Sequence, residues 1–168
     1  MGDLVEKAVD NRGKTPPTVE HSKYPLLEVA SLGNLYPDYL CISKFVDEET
    51  YFNWFRAHIK KHDILFSTVG NTGLTSLMDD FFGATIAQNI VAFRAINDND
   101  PEFLATMLQH PDNIKNTKKI EMGAVQPSIK VSQLIHVKYI VSLNINEQKQ
   151  IGALFTNLDN LITLHQRE

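Results

Sequence analysis

The sequence predicts an α+β fold: a body of mixed sheet with flanking helices, followed by a long C-terminal helix. Three observations predict it. Residues 63–69 form an apolar run of strand length that breaks into a polar loop carrying Gly70 and Gly73. Asp100-Pro101 supplies a side-chain cap and a proline at the first helical position in mid-chain, after a second strand-like run over residues 86–94. From Asn146 onward apolar residues recur at helical spacing to Glu168.

Taken in order, residues 3–9 suit a short helix or a short strand, and residues 10–17, rich in Asn, Gly and Pro, a turn. Short strands are expected over residues 25–29, 39–42 and 57–59. Residues 47–50 read as a helix start leading into the aromatic segment of Tyr51, Phe52, Trp54 and Phe55. In the loop after the 63–69 strand, Gly70 and Gly73 allow positive φ or close backbone approach to a ligand. Asn71 and Thr72 add short hydrogen-bonding side chains, so the loop suits binding better than covalent chemistry. The strand over residues 86–94 carries polar Gln88 and Asn89 near its start. In the helix opened by Asp100, Phe103, Leu104, Met107 and Leu108 make one apolar face. A second short helix is expected after Pro111, through Ile114 to Ile120, and residues 137–143 alternate enough for a last strand. The one clean boundary lies near residues 144–146, dividing a body of residues 1–144 from a helix of residues 145–168.

With 168 residues, 43% hydrophobic and 21% charged, the chain has room for one packed domain and an appendage, at ordinary globular composition. A net charge of -4 argues against generic phosphate binding, which calls for a basic excess. It leaves room for a protein that reads bases through a local patch while a partner supplies most backbone contacts. Cys41 is the sole cysteine, which excludes an intrachain disulfide and a cysteine zinc cluster. The first fifteen residues carry acids and no apolar core, unlike a signal peptide, and no apolar run approaches the roughly 18 residues of a membrane span. A cytoplasmic protein without a membrane partner is the expectation.

Catalytic and cofactor motifs fail on inspection. Gly13-Lys14-Thr15 resembles the end of a phosphate loop, but Ala8 stands where the first glycine is needed and no apolar strand precedes it. Gly70-Asn71-Thr72-Gly73 matches the two-glycine loop of RNA-binding KH modules, yet a strand leads in and the middle residues are neutral. His58 and His62 have zinc-like spacing without a helix or a third ligand, beside the basic residues Arg56, Lys60 and Lys61. Asp112 with Glu147 and Lys149 imitates a nuclease set for a divalent ion, but Glu147 opens a helix, where the dipole alone favours it. No Asn-Pro-Pro-aromatic motif and no glycine-rich cofactor loop occur, so an amino-methyltransferase site is absent. No metal site is expected.

In the C-terminal helix Ile151, Phe155, Leu158, Ile162 and His165 follow a four-three-four-three spacing, and Leu154 and Leu161 widen the stripe. Such a stripe packs either on the same chain's core or on another helix. The helix meets the chain end with no glycine stop, which favours a paired helix from a second copy or an element completed elsewhere.

In order along the chain, several motifs resemble one target-recognition half of the specificity subunit of type I DNA restriction–modification systems. These are the turn Arg12-Gly13-Lys14-Thr15-Pro16, the strand position at residues 27–31, and His62-Asp63-Ile64-Leu65-Phe66-Ser67 with Gly70 and Gly73. Gln88-Asn89-Ile90, the turn of Gly123, Gln126 and Ile129, and Glu147-Gln148 followed by Ile151, Leu154, Leu158, Asp159 and Ile162 complete the series. Together they cover nearly the whole chain. Two departures occur: His62 replaces the family's glycine, and Asn144-Ile145-Asn146 replaces a proline-rich lead into the helix.

The resemblance implies a sheet-based target-recognition domain and a non-catalytic reader of double-stranded DNA. It would bind one half of a split target and pair its terminal helix, as a coiled coil, with a second target-recognition half or in a homodimer. Methyltransferase subunits would dock on it, and restriction subunits through them. This chain would bind no cofactor, with S-adenosylmethionine held by the methyltransferase subunit. Base readout uses amide, hydroxyl and cationic side chains. Those types cluster at Ser67, Thr68, Asn71 and Thr72 with Gly70 and Gly73, at Gln88 and Asn89, and at Gln126, Ser128 and Lys130, with Lys14 near the start. Arg56, Lys60, Lys61, Lys118 and Lys119 are candidates for phosphate contacts, and Lys14 serves either role. The alternatives are a fragment of a fused restriction or methyltransferase enzyme carrying the same domain, and an RNA-binding module.

Overall fold

A computed structural model describes residues 1–11 and 13–165, the Thr163 side chain excepted. Arg12 of the expected first turn and residues 166–168 of the expected last helix lie outside the described residues. In chain order the elements are β1 (Val5–Asp10), β2 (Tyr24–Leu27), β3 (Phe45–Val46), α1 (Glu48–Asn53), β4 (Ile64–Ser67), β5 (Thr75–Leu77), β6 (Thr85–Ile86), β7 (Ile90–Ala95), α2 (Pro101–Gln109), α3 (Pro111–Lys118), α4 (Val131–Leu134) and α5 (Ile145–His165). The fold is α+β, as the sequence predicts.

Strand β4 shows why the chain folds this way. Its four residues are all buried because the sheet is covered on both sides. Ile64 and Phe66 face a core shared with Phe103, Leu104 and Leu108 of α2 and with Val131 and Leu134 of α4. Leu65 faces a second core with Leu27, Ile86, Ile90 and Ala92. A continuous apolar run in the sequence therefore hides a period of two. The four-stranded sheet has the order β1-β7-β4-β5, antiparallel throughout, with an irregularity in β1 between Lys7 and Val9. A smaller sheet, β3-β2-β6, pairs β2 antiparallel to β3 and parallel to β6. Beyond it Tyr24, Val46, Tyr51 and Phe55 form an aromatic cluster in which Tyr24 stacks on Tyr51 at 4.3 Å.

Local chemistry sets the helix starts. Asp100 accepts from the Phe103 amide at 2.8 Å with Pro101 in the first turn, and Asp47 accepts from the Thr50 amide at 2.7 Å to open α1. Three expected strands are corrected. Residues 39–41 form a 3-10 turn because the Asp38 carboxylate accepts from the Leu40 amide. Residues 57–59 and 137–143 carry no strand, since no neighbouring segment offers them a ladder. The segment around Tyr139 is held by its side chain instead, the Tyr139 hydroxyl bonding Thr117 at 2.7 Å. Strands β3 and β5 are additional to those read from the sequence, and the strand expected over residues 86–94 is divided between β6 and β7. The one expected over residues 25–29 ends at Leu27, before a 3-10 turn at Val29–Ser31.

Helix α5 lies against α2 over its first half. The Gln148 side chain, nearly inaccessible, accepts from the Asp100 amide at 2.9 Å and donates to Asn99 at 3.0 Å and to the Ser142 carbonyl at 2.8 Å. Gly152 is the point of closest approach: a Cβ there would lie 2.6 Å from Asp100 Oδ1 and 2.7 Å from the Phe103 nitrogen. One turn on, Thr156 donates to Glu102 at 3.2 Å.

Candidate nucleic-acid interface

The candidate residues come from segments far apart in the sequence, and hydrogen bonds draw most of them to one end of the four-stranded sheet. Strand β4 delivers the 68–73 loop. The Gly70 amide donates to the Pro127 carbonyl at 2.8 Å, the Ile129 amide to the Thr68 carbonyl at 2.8 Å, and Val69 bridges Ser128. The Thr68 amide and hydroxyl both donate to the Asn89 carbonyl, at 2.8 and 3.1 Å. Loop 68–73, the Gln88-Asn89 pair and the 122–130 turn thus form one surface. The Lys14 turn approaches it, because the Asn11 side chain donates to the Ile86 carbonyl at 2.9 Å.

Within that surface the side chains divide into two kinds. Ser67, Thr68 and Thr72 are buried and form the loop's internal skeleton. The Ser67 hydroxyl donates to the Asn71 carbonyl at 2.6 Å and accepts from the Leu74 amide at 2.8 Å. Gly70 and Gly73 sit at φ 81 and 86, which lets the loop close on itself. Ser128 is half-buried and its backbone pairs both ways with Met122. Asn71, Gln126 and Lys130 instead stand exposed, Gln88 half-buried, and their side chains bond no other described residue. Lys14 is exposed in the same way. Val125 projects beside Gln126 from a turn that Gly123 closes at φ 91, where a Cβ would meet the Gln126 carbonyl at 2.6 Å.

One residue absent from the sequence-derived set belongs here. Glu121 lies between α3 and the 122–130 turn, and its Oε2 accepts from the Thr72 hydroxyl and from Lys118 Nζ at 2.8 Å. Lys118 Nζ also donates to the Thr72 hydroxyl at 3.0 Å. Lys118, then Thr72, hold the Glu121 carboxyl below its usual range, so it is ionised at neutral pH. The signal in the sequence was the i,i+3 spacing of Lys118 and Glu121 just ahead of the Gly123 turn.

The expected cationic contacts divide in space. Lys118 belongs to the loop surface; Lys119, from the same helix end, donates to Asn116 at 2.8 Å. Arg56, Lys60 and Lys61 lie by the other end of β4, about 13 Å of strand away. There Lys60 and Lys61 line a cleft of about 440 Å³ with Tyr51, His58 and Phe82, and Lys61 pairs with Asp80 at 2.6 Å. Burial lowers the His58 pKa, and its Nδ1 is buried with no hydrogen-bond partner among the described residues.

The α5 stripe divides as well. Ile151 packs against the body's own core. Leu154, Phe155, Leu158, Leu161 and Ile162 remain 43% to 56% exposed, and His165 beyond them is exposed as well. His165 Nδ1 lies 2.9 Å from the Leu161 carbonyl. No helix of the described residues is long and apolar enough to cross a membrane.

Comparison with known proteins bears on all of this. The family model described as type I restriction modification DNA specificity domain matches residues 1–168. Among solved structures, the HsdS subunit from Thermoanaerobacter tengcongensis superposes with a TM-score of 0.64 at 14% identity, covering 99% of this chain and 37% of that one. The S subunit of a type I restriction-modification system from M. genitalium gives 0.60 at 18% identity, covering 99% of this chain and 41% of that one. A chain from a structure of type I R-M complex assembly and conformational transition gives 0.59 at 16% identity, with 97% and 37% covered. This chain therefore spans about two fifths of the length of each. No curated protein matches it.

Proposed function

We propose, on the premise that this chain belongs to the type I restriction modification DNA specificity domain family, that it recognises one half of a bipartite duplex DNA target and performs no bond-making itself. The observation that carries this reading is the assembly of three distant polar segments into one surface whose Asn71 and Gln126 amides are exposed and unengaged. Side-chain amides in a rigid frame pair bidentately with adenine, and cations with guanine or phosphate. With a net charge of -4, backbone attraction from this chain alone is weak, so readout falls to that local surface and phosphate contacts are shared with partners.

The exposed stripe of α5 supports the second half of the reading. It pairs with the equivalent helix of another target-recognition half, in tandem or in a second copy, and sets the spacing between half-sites. Methyltransferase subunits holding S-adenosylmethionine dock on this assembly in the cytoplasm, and restriction subunits join through them.

The test is enrichment of a duplex from a random-sequence pool by the full chain, followed by methylation of that duplex with the methyltransferase subunits, with and without it. One half-site should enrich, and Asn71→Ala or Gln126→Ala should weaken its binding about tenfold, within the ~1–3 kcal/mol of a good bidentate contact. Leu158→Asp should abolish assembly while the body stays folded. Failure of any duplex to enrich, a preference for single-stranded RNA, or methylation independent of the chain would refute the reading.

A further inference from the structure

We propose that Glu121 and Lys118 form an acceptor–donor pair that reads the exocyclic amino group of a cytosine or adenine in the major groove. This rests on the duplex-reading role above and names a recognition element within it. The Glu121 carboxylate is anchored through one oxygen only: Oε2 takes the Thr72 hydroxyl and Lys118, while Oε1 accepts from no described residue. The side chain is 22% exposed and that of Lys118 41%, so the pair borders solvent on the loop surface.

An unneutralised carboxylate on a DNA-facing surface is repelled by phosphate. Lys118 removes that penalty, and the contact with Thr72 ties the pair to the base of the 68–73 loop. Lys118 has three donor protons, of which Thr72 and Glu121 take two. A fixed acceptor beside a free donor complements an amino group beside an acceptor. Two major-groove edges offer that pattern: cytosine N4 next to guanine O6, and adenine N6 next to its own N7. An ionised carboxylate donates nothing, so it discriminates against the carbonyl oxygens of thymine and guanine at the same place. Its depressed pKa keeps it in that form at neutral pH.

The experiment uses the duplex that the full wild-type chain enriches from a random-sequence pool. Each cytosine is replaced in turn by 2-pyrimidinone, and each adenine by purine, removing one amino group at a time. The pyrimidinone and purine arms distinguish the two bases. Wild type should lose about 5- to 150-fold in affinity at one position, the ~1–3 kcal/mol of a specific contact at 1.4 kcal/mol per tenfold. Glu121→Ala should bind with less than a twofold change at that position, because no acceptor remains there. Should its melting temperature show misfolding, Glu121→Asp, which keeps the charge on a shorter stem, should show a reduced loss at the same position. No sensitive position in wild type, or equal sensitivity in the folded variant, overturns the proposal and leaves the enriched duplex and the DNA-reading role standing. Failure to enrich any duplex overturns both.

Discussion

Removing Arg94 should expose how the candidate surface is held up. Asp63 is entirely buried at the entrance of β4, yet it is a carboxylate. It accepts from Arg94 Nε and Nη2, each at 2.8 Å, and from the Lys60 amide at 2.8 Å. Arg94→Met removes two of these three donors. Breaking a buried pair by deleting one partner costs about 3–5 kcal/mol. Arg94 is 37% exposed, so water reaches the vacated side, and one amide donor stays in place, which puts the expected loss near the lower bound, about 3 kcal/mol. For a chain of this length that lowers Tm by about 6–12 °C. Thermal and urea melts followed by circular dichroism at pH 7 read this directly. The double variant Asp63→Leu with Arg94→Met should recover at least half of the loss, because an apolar pair removes the stranded charge. A loss under about 1 kcal/mol in Arg94→Met, or a double variant no better than the single, would refute the argument that this pair anchors β4 and the loop at its far end.

Three further outcomes are expected. His62 occupies the left-handed region at φ 68, where a non-glycine residue costs about 1–2 kcal/mol and glycine about 0.5–1 kcal/mol through the unfolded chain. His62→Gly should therefore raise Tm by about 1–4 °C in thermal melts. Gly152→Ala, which on an exposed helix would gain about 1 kcal/mol, should instead destabilise, because the new Cβ meets Asp100 and the Phe103 nitrogen; a rise in Tm would unseat α5 from α2. Two pH windows should appear in urea midpoints. Burial depresses His58, so its stability contribution is complete above the unfolded value of about 6.5 and is lost as pH falls through the folded value; His58→Phe should flatten the curve there. Lys118 and Thr72 depress Glu121, so its contribution is present above about 4.5 and lost as pH falls through the folded value; Glu121→Gln should flatten the curve only in that lower window.

Elements whose cause lies within a few residues were legible in the sequence. The Asp100-Pro101 start of α2, the apolar run of β4 and the periodic stretch of α5 each carry their own signal, and the structure has them where expected. Strand β5 was missed because Thr75, Ser76 and Leu77 look like loop residues, and only pairing with Phe66, Leu65 and Ile64 makes them a strand. The opposite error fell at residues 137–143, whose alternation satisfies strand patterning but finds no partner edge. Pairing is a long-range event, and short segments carry no record of it. The glycine expected by the family at position 62 has a physical basis in that residue's positive φ, which His62 sustains.

The candidate surface was legible as residue types and illegible as directions. Ser67, Thr68, Asn71 and Thr72 are equally short and polar in the sequence, yet three are buried and one is exposed. A loop that turns away from a sheet strands its own amides and carbonyls, and these must be bonded before the loop can present anything to a partner. Ser67 and Thr68 meet that demand directly, bonding the Asn71 carbonyl, the Leu74 amide and the Asn89 carbonyl. Thr72 meets it indirectly by tying Glu121 and Lys118 to the loop. The same short side chains therefore have separable consequences. Under the proposed DNA-reading role, substitutions at Ser67 or Thr68 should act on the stability of the loop and weaken every target alike, whereas substitutions at Asn71 or Gln126 should leave the frame intact and alter which bases it accepts. A frame built from buried hydroxyls can hold different outward amides without refolding.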